Sequence, residues 1–130
     1  MALTATLQYR IVVLVPETFF DNWVTQVRKG LLELSVLNAL RAERLYGYDI
    51  VRKLRARGAL VISEGTIYPI LGRFRREGLV EAAIEPSPDG PARRYYWLTP
   101  AGLEALERMN AYWQQLKREI DAPTDLPAGR

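Results

Sequence analysis

The stretch SEGTIYPILGRFRREGLV, Ser63 to Val80, decides how the rest of the chain is read. Ile67, Ile70, Leu71 and Phe74 fall at i, i+3, i+4 and i+7, the apolar stripe of an amphipathic helix. Gly65 and Pro69 stand near its front, and both are poor helix-interior residues. Arg73, Arg75 and Arg76 crowd its back half. Such a helix is either a compromised core element or one whose front is shaped for close approach. Ser63 is placed to cap it and Gly78 to close it. Pro69 admits two readings. If the helix begins at Thr66, the missing N–H lies in the first turn, where it would be unpaired anyway. If it begins at Ser63, Pro69 removes the bond to the Gly65 carbonyl and bends the front.

Upstream, the pattern is helical from Asp21, which is the expected N-cap. Trp23, Val27, Gly30, Leu34 and Leu37 follow at 4-3-4-3 spacing. Leu31, Val36 and Leu40 widen that face, so burial on more than one side and an end near Arg44 are expected. A second helix reads as Tyr48 to Arg57, with Ile50, Val51 and Leu54 inward, Arg52, Lys53, Arg55 and Arg57 outward, and Gly58 as its stop. Residues 1–20 read differently. LQYRIVVLVPE has a β-branched core ended by Pro16, which suits a short strand or a disordered or non-native leader.

Downstream, Val80, Ala82 and Ile84 alternate with Glu81, Ala83 and Glu85, the pattern of a half-buried strand. Ser87 to Pro91, SPDGP, is turn chemistry, with proline setting φ and glycine allowing a positive one. Arg93 to Leu98, RRYYWL, returns as the second strand, its aromatics read as packing residues. Thr99-Pro100 announces a last helix, Thr as N-cap and Pro at the first helical position. Leu106, Met109, Trp113, Leu116 and Ile120 run along it at 3-4-3-4, an a/d seam. One domain of this size needs only part of that seam, and a second copy is the simplest cover for the rest. The Trp23–Leu37 face is the candidate for packing with it.

Composition narrows the chemistry. The 130 residues contain no histidine and no cysteine, so nucleophile–base pairs and nitrogen or sulfur metal sites are unavailable. The carboxylates show no paired arrangement; no enzyme, cofactor or metal is expected. The longest aliphatic run, Ile11 to Val15, is far short of the roughly 20 apolar residues that span a bilayer. A cytoplasmic location is the default. The net charge of +3 is unevenly placed. Residues 1–51 balance at five basic and five acidic, 52–94 carry nine against five, and 95–130 carry four against five. A localised positive surplus is the footprint of a phosphate-binding surface, although a solvated helix face has the same composition.

Three helices, a hairpin and a helix make a mainly α fold with a small β-hairpin wing, the winged helix-turn-helix. The expected organisation is an N-terminal extension over 1–20, a DNA-binding domain over 21–98, a dimerisation helix over 99–121 and a flexible tail over 122–130. In this arrangement the Ser63 helix enters the major groove front first. Ser63 and Gly65 allow close approach, and the free N–H groups of the first turn favour phosphate. Thr66 and Tyr68 are candidates for phosphate or thymine-methyl contact, and Arg73 for holding the backbone. Arg93 and Arg94, beside the wing turn, are candidates for phosphates or a narrow minor groove. A winged-helix module that meets an acidic protein instead of DNA is the rival reading.

RKGLLELSVLNAL (28–40), LYGYDIVRKL (45–54), SEGTIYPILGRFRREGLV (63–80) and GPARRYYWLTPAGLEAL (90–106) together resemble the PadR family of bacterial transcriptional regulators. The resemblance spans about Val27 to Ile120. It implies a homodimeric repressor on a palindromic operator, relieved by a small-molecule effector. The GTIYP helix would read the operator, and Arg93 and Arg94 would grip the backbone. The C-terminal and first helices would form the dimer through Trp23, Val27, Leu106, Met109, Trp113, Leu116 and Ile120. In drug-binding relatives a tryptophan of the last helix stacks an aromatic ligand, and Trp113 falls at the matching position. The single C-terminal helix places the chain in the smaller branch. Residues 1–20 match nothing in the family, as an upstream start codon ahead of a true start near Asp21 would produce.

Overall fold

The computed structural model describes residues 17–58, 60 and 63–123. Their order is α1 (Glu17–Ala39), β1 (Leu45–Tyr46), α2 (Gly47–Ala56), α3 (Glu64–Arg76), β2 (Val80–Ser87), β3 (Gly90–Leu98) and α4 (Pro100–Asp121). The mainly helical architecture with a hairpin is the expected one. The chain divides into two compact units, residues 1–32 and 33–130, with α1 crossing the boundary.

In the first unit, α1 begins at Glu17 rather than after Asp21. Asp21 therefore lies inside the helix, and its carbonyl accepts a bond from the Thr25 hydroxyl at 2.9 Å. An acidic Glu17 in the first turn complements the helix dipole and allows the earlier start. The expected strand in Ile11 to Val15 lies outside the described residues. Phe19, Phe20, Trp23 and Val27 are exposed, so burial of α1 does not begin at Trp23 as its spacing suggested.

In the second unit the core consists of Leu34, Val36, Leu37 and Leu40 from α1 and its exit, Leu45 from β1, Ile50, Val51 and Leu54 from α2, Ile67, Leu71 and Phe74 from α3, then Val80, Tyr96 and Leu106. Among the described residues no polar or charged side chain is buried. Except that Ile70 is only half-buried, the inner stripes of α2 and α3 are those read from the sequence, because 3.6-residue periodicity and burial report the same surface. α1 stops five residues before Arg44, tightening as Leu40 N–H bonds the Val36 and Leu37 carbonyls. The freed segment supplies β1, too short to be seen as a run of strand residues. β1 joins the hairpin as an edge, in the order β1-β3-β2, pairing Leu45 with Tyr96 and Tyr46 with Tyr95.

α3 ends in a Schellman motif. Leu79 N–H bonds the Phe74 carbonyl at 2.9 Å and Gly78 N–H bonds that of Arg75 at 3.1 Å, with Gly78 at φ +78°. The next joint depends on Thr99. Its hydroxyl donates to the Gly78 carbonyl at 2.6 Å and accepts from Gly102 N–H at 2.9 Å, so it caps α4 and ties it to the exit of α3. Thr99 N–H also bonds the Leu79 carbonyl at 3.1 Å. Farther along, the amides of Asn38 and Asn110 exchange two 3.0 Å hydrogen bonds, joining the end of α1 to α4.

The hairpin is longer than expected at its tip. β2 extends through Ser87 and β3 starts at Gly90, leaving Pro88 and Asp89 as the turn, with an irregularity between Glu85 and Ser87. Prolines at 86 and 91 flank it, where a missing N–H is tolerated. The positive-φ glycines of the described residues are Gly58 and Gly78, so Gly90 does not use that freedom. Ile84 is also not half-buried as its alternation implied: it is 63% exposed, because the strand has run past the core toward the tip.

A Cβ on Gly102 would lie 1.9 Å from the Leu79 carbonyl oxygen, a backbone atom that cannot step aside. Gly102→Ala is therefore expected to cost about 1–3 kcal/mol or more, as overpacking does, measured by urea unfolding. An unchanged midpoint would show that α4 is not seated on Leu79.

Candidate nucleic-acid interface

The front of α3 is built as the second reading of Pro69 requires. The helix starts at Glu64, so Pro69 lies inside it and leaves the Gly65 carbonyl without its usual donor. Ser63 occupies the N-cap position in extended conformation, but its side chain makes no cap bond. Its hydroxyl lies 3.1 Å from that of Thr66, while its carbonyl accepts from the N–H groups of Thr66 and Ile67. Ser63, Gly65 and Thr66 are exposed, and Ile67 directly behind them is fully buried. The irregular end thus faces outward while the stripe holds the helix in place.

Tyr68 is 45% exposed, and the rest of its ring covers Gly47. A Cβ on Gly47 would come within 2.5 Å of that ring, so the glycine of the Tyr46-Gly47-Tyr48 triplet makes room for Tyr68. Desolvation, then Glu64, then Tyr96 and Tyr46, push the Tyr68 hydroxyl above the ordinary tyrosine value. Tyr46 and Tyr48 stack with centroids 6.3 Å apart, and Tyr95 meets Tyr46 edge-on at 5.8 Å. The Arg93 guanidinium lies over the Tyr46 ring at 4.5 Å. This run of rings links the wing to the α2 start and the α3 front. The aromatics were legible in the sequence, but their convergence was not, since Tyr46 reaches the wing only through β1.

Strand register separates the two wing arginines. Glu81↔Trp97, Ala83↔Tyr95 and Glu85↔Arg93 share one face of the hairpin, whereas Val80↔Leu98, Ala82↔Tyr96 and Ile84↔Arg94 share the other. Arg93 therefore belongs to the aromatic outer face. Arg94 lies on the face that carries buried Tyr96, whose hydroxyl is raised by desolvation while Arg94 and Arg75 act to lower it.

Several cations of the basic third already have partners. Arg73, expected to hold a DNA backbone, is paired with Glu33 of α1 and with Glu77, the latter at 3.4 Å. Lys53 pairs with Glu43 at 3.4 Å and Arg52 with Asp49 at 3.5 Å. Arg75, Arg76, Arg93 and Arg94 have no carboxylate partner among the described residues. On α4, Leu106 is fully buried and belongs to the protomer's own core, so it has no surface to offer a second chain. Met109, Trp113 and Leu116 are half-buried, Ile120 is 68% exposed, and Tyr112 beside them is exposed.

Because Tyr68 and Tyr96 titrate higher in the fold than their ordinary value of 10.0, the unfolded chain loses those protons first. Their contribution is complete below pH 10 and is lost as the pH climbs through the raised folded values. Thermal midpoints should therefore fall above pH 10, and less steeply in Tyr96→Phe. An identical alkaline slope in that variant would contradict the shift.

Comparison with known proteins places this geometry. Residues 36–108 match the transcriptional regulator PadR-like family. The transcriptional regulator Rv3488 of Mycobacterium tuberculosis is 32% identical over 95 residues, covering 73% of this chain and 87% of that one. A PadR family regulator from Eggerthella lenta superposes with a TM-score of 0.73 at 30% identity, covering 80% of this chain and 90% of its own. The PadR protein of Bacillus subtilis, solved with operator DNA, shares the fold at a TM-score of 0.57 and 20% identity, covering 77% of this chain and 52% of its own. With its GTIYP helix, tyrosine-lined α2 start and arginine wing, the chain belongs to the PadR-like family of transcriptional regulators.

Proposed function

We propose that this regulator is a homodimeric repressor that reads a palindromic operator with the front of α3 and steadies itself with the wing. The carrying observation is the exposed Ser63–Gly65–Thr66–Tyr68 end of a helix whose opposite side buries Ile67, Leu71 and Phe74. A front without a side-chain cap leaves first-turn N–H groups and the positive end of the helix dipole for phosphate. Thr66 and the exposed part of Tyr68 are the side chains for base edges. Arg93 and Arg94 serve the phosphates from opposite faces of one hairpin. Arg73 is left out, because two carboxylates already engage it.

The second copy is assigned to the α4 seam, Met109, Trp113, Leu116 and Ile120, together with Trp23 and Val27 of α1. Exposed Ile120, Tyr112 and Trp23 support that cover. An aromatic effector stacked on Trp113 would act by preferring one spacing of the two α3 helices.

Binding to duplex DNA flanking the gene should fall steeply with salt. Replacing Arg93 or Arg94 with Ala should weaken all duplexes alike and lower the log–log slope by about 0.9 per lost phosphate contact. Thr66→Ala should instead alter base preference, by roughly tenfold at one position. Gly47→Ala, which pushes the Tyr68 ring aside, should do likewise. Flanking DNA bound no better than random duplex at moderate salt would sink the repressor reading. Light scattering should give a dimer, with Ile120→Glu shifting it toward monomer. Aromatic ligands should quench tryptophan emission in the wild type and not in Trp113→Phe; quenching that persists would move the effector to Trp23 or Trp97.

A further inference from the structure

We infer that Arg44 is a positioning residue for the wing: by holding Glu85 it keeps the Arg93 guanidinium available to phosphate. Glu85 and Arg93 are directly opposed across the β2–β3 ladder, on the same face. Opposite charges in that relation attract each other. The expected outcome for an isolated hairpin is a Glu85–Arg93 pair that neutralises the wing. In this chain Glu85 is bound by Arg44, from the loop between α1 and β1, and Arg93 has no carboxylate partner among the described residues.

Arg44 is fixed for this task by the rings beneath it. Its guanidinium lies 4.8 Å from the Trp97 centroid and 5.5 Å from that of Tyr95, both on the hairpin's outer face. Arg93 in turn rests on Tyr46 at 4.5 Å. Cation–π contact is satisfied through the face of the guanidinium and leaves its N–H groups at the edge free. One arginine therefore takes the carboxylate, and the other keeps five donors for an oxyanion. Both arginines are stacked on aromatics, so neither exchange of partners nor retreat into solvent is favoured.

The inference rests on the proposed contact between the wing and DNA, and the experiment separates the two. Affinity and salt slope are measured on a labelled duplex of the flanking DNA for the full-length wild type, Arg93→Ala, Arg44→Gln, Glu85→Gln and Arg44→Gln/Glu85→Gln. In Arg44→Gln, the released Glu85 should capture Arg93. Binding should weaken about tenfold, the size of one charge-assisted contact, and the slope should fall by about 0.9 per protomer. Adding Glu85→Gln should restore both, and Glu85→Gln alone should bind no more weakly than wild type. Restoration also excludes a merely misfolded Arg44→Gln. If Arg93→Ala changes neither affinity nor slope, the wing reading fails and takes this inference with it. If Arg93→Ala weakens binding but Arg44→Gln does not, the wing reading stands and this inference is overturned. If Arg44→Gln weakens binding and Glu85→Gln fails to rescue it, Arg44 itself meets the DNA and the inference is equally overturned.

Discussion

Thr99 uses one hydroxyl twice, donating to the carbonyl that ends α3 and accepting from the N–H that begins α4. Its own N–H bonds the Leu79 carbonyl, the atom against which Gly102 is packed. Within four residues the chain thus binds the exit of the candidate reading helix, the start of the sheet and the start of the last helix. All but one of the groups involved are backbone. A joint made of backbone groups has little rotamer freedom, so α3 and the first turns of α4 are held as one body.

The same economy governs charge. Composition points to a basic third of the chain, but the surplus is not uniformly available to a partner. Arg73 is taken by Glu33 and Glu77, Lys53 by Glu43 and Arg52 by Asp49. Exposed pairs of this kind contribute about 1 kcal/mol or less, too little to explain the fold. Their effect is on direction, since each removes a cation from one surface and leaves others open. Among the described residues of that third, Arg57 at the end of α2, Arg75 and Arg76 on the late turns of α3, and Arg93 and Arg94 on the wing have no carboxylate partner.

Local rules explain which features were legible in advance. Gly58, Gly78 and Thr99-Pro100 mark their boundaries because stop and cap chemistry depends on a few neighbouring residues. The inner stripes of α2 and α3 were legible for the same reason. β1 was not, because two residues carry no periodicity and the strand exists only through pairing with Tyr95 and Tyr96, some fifty positions away. The start of α1 moved because Asp21 is one acceptable cap among several, and Glu17 supplies an earlier favourable charge. Leu106 fits the seam by spacing, yet the core claims it first. The pairing of Arg73 with Glu33 was not legible, because the helix that carries Glu33 approaches only after folding. For Arg93 and Arg94, alternation alone puts neighbours on opposite faces; register was needed to say which face carries the aromatics.

Gly47 and Gly102 show what the fold demands near the site. Neither sits in a left-handed turn; each is a place where something must come closer than a Cβ permits. At Gly102 the intruder is a backbone carbonyl, and at Gly47 it is the Tyr68 ring. The first is a condition of folding, since the carbonyl has nowhere to go. The second is a condition of geometry at the α3 front, since a ring can rotate away while the core stays closed. With no polar side chain buried among the described residues, the core specifies little about orientation beyond shape. Orientation comes instead from edge contacts: Thr99 at one end, the Asn38–Asn110 amide pair along α4, and the stacked arginines on the hairpin. Changes at those edges should therefore alter how the front of α3 is presented well before they unfold the chain.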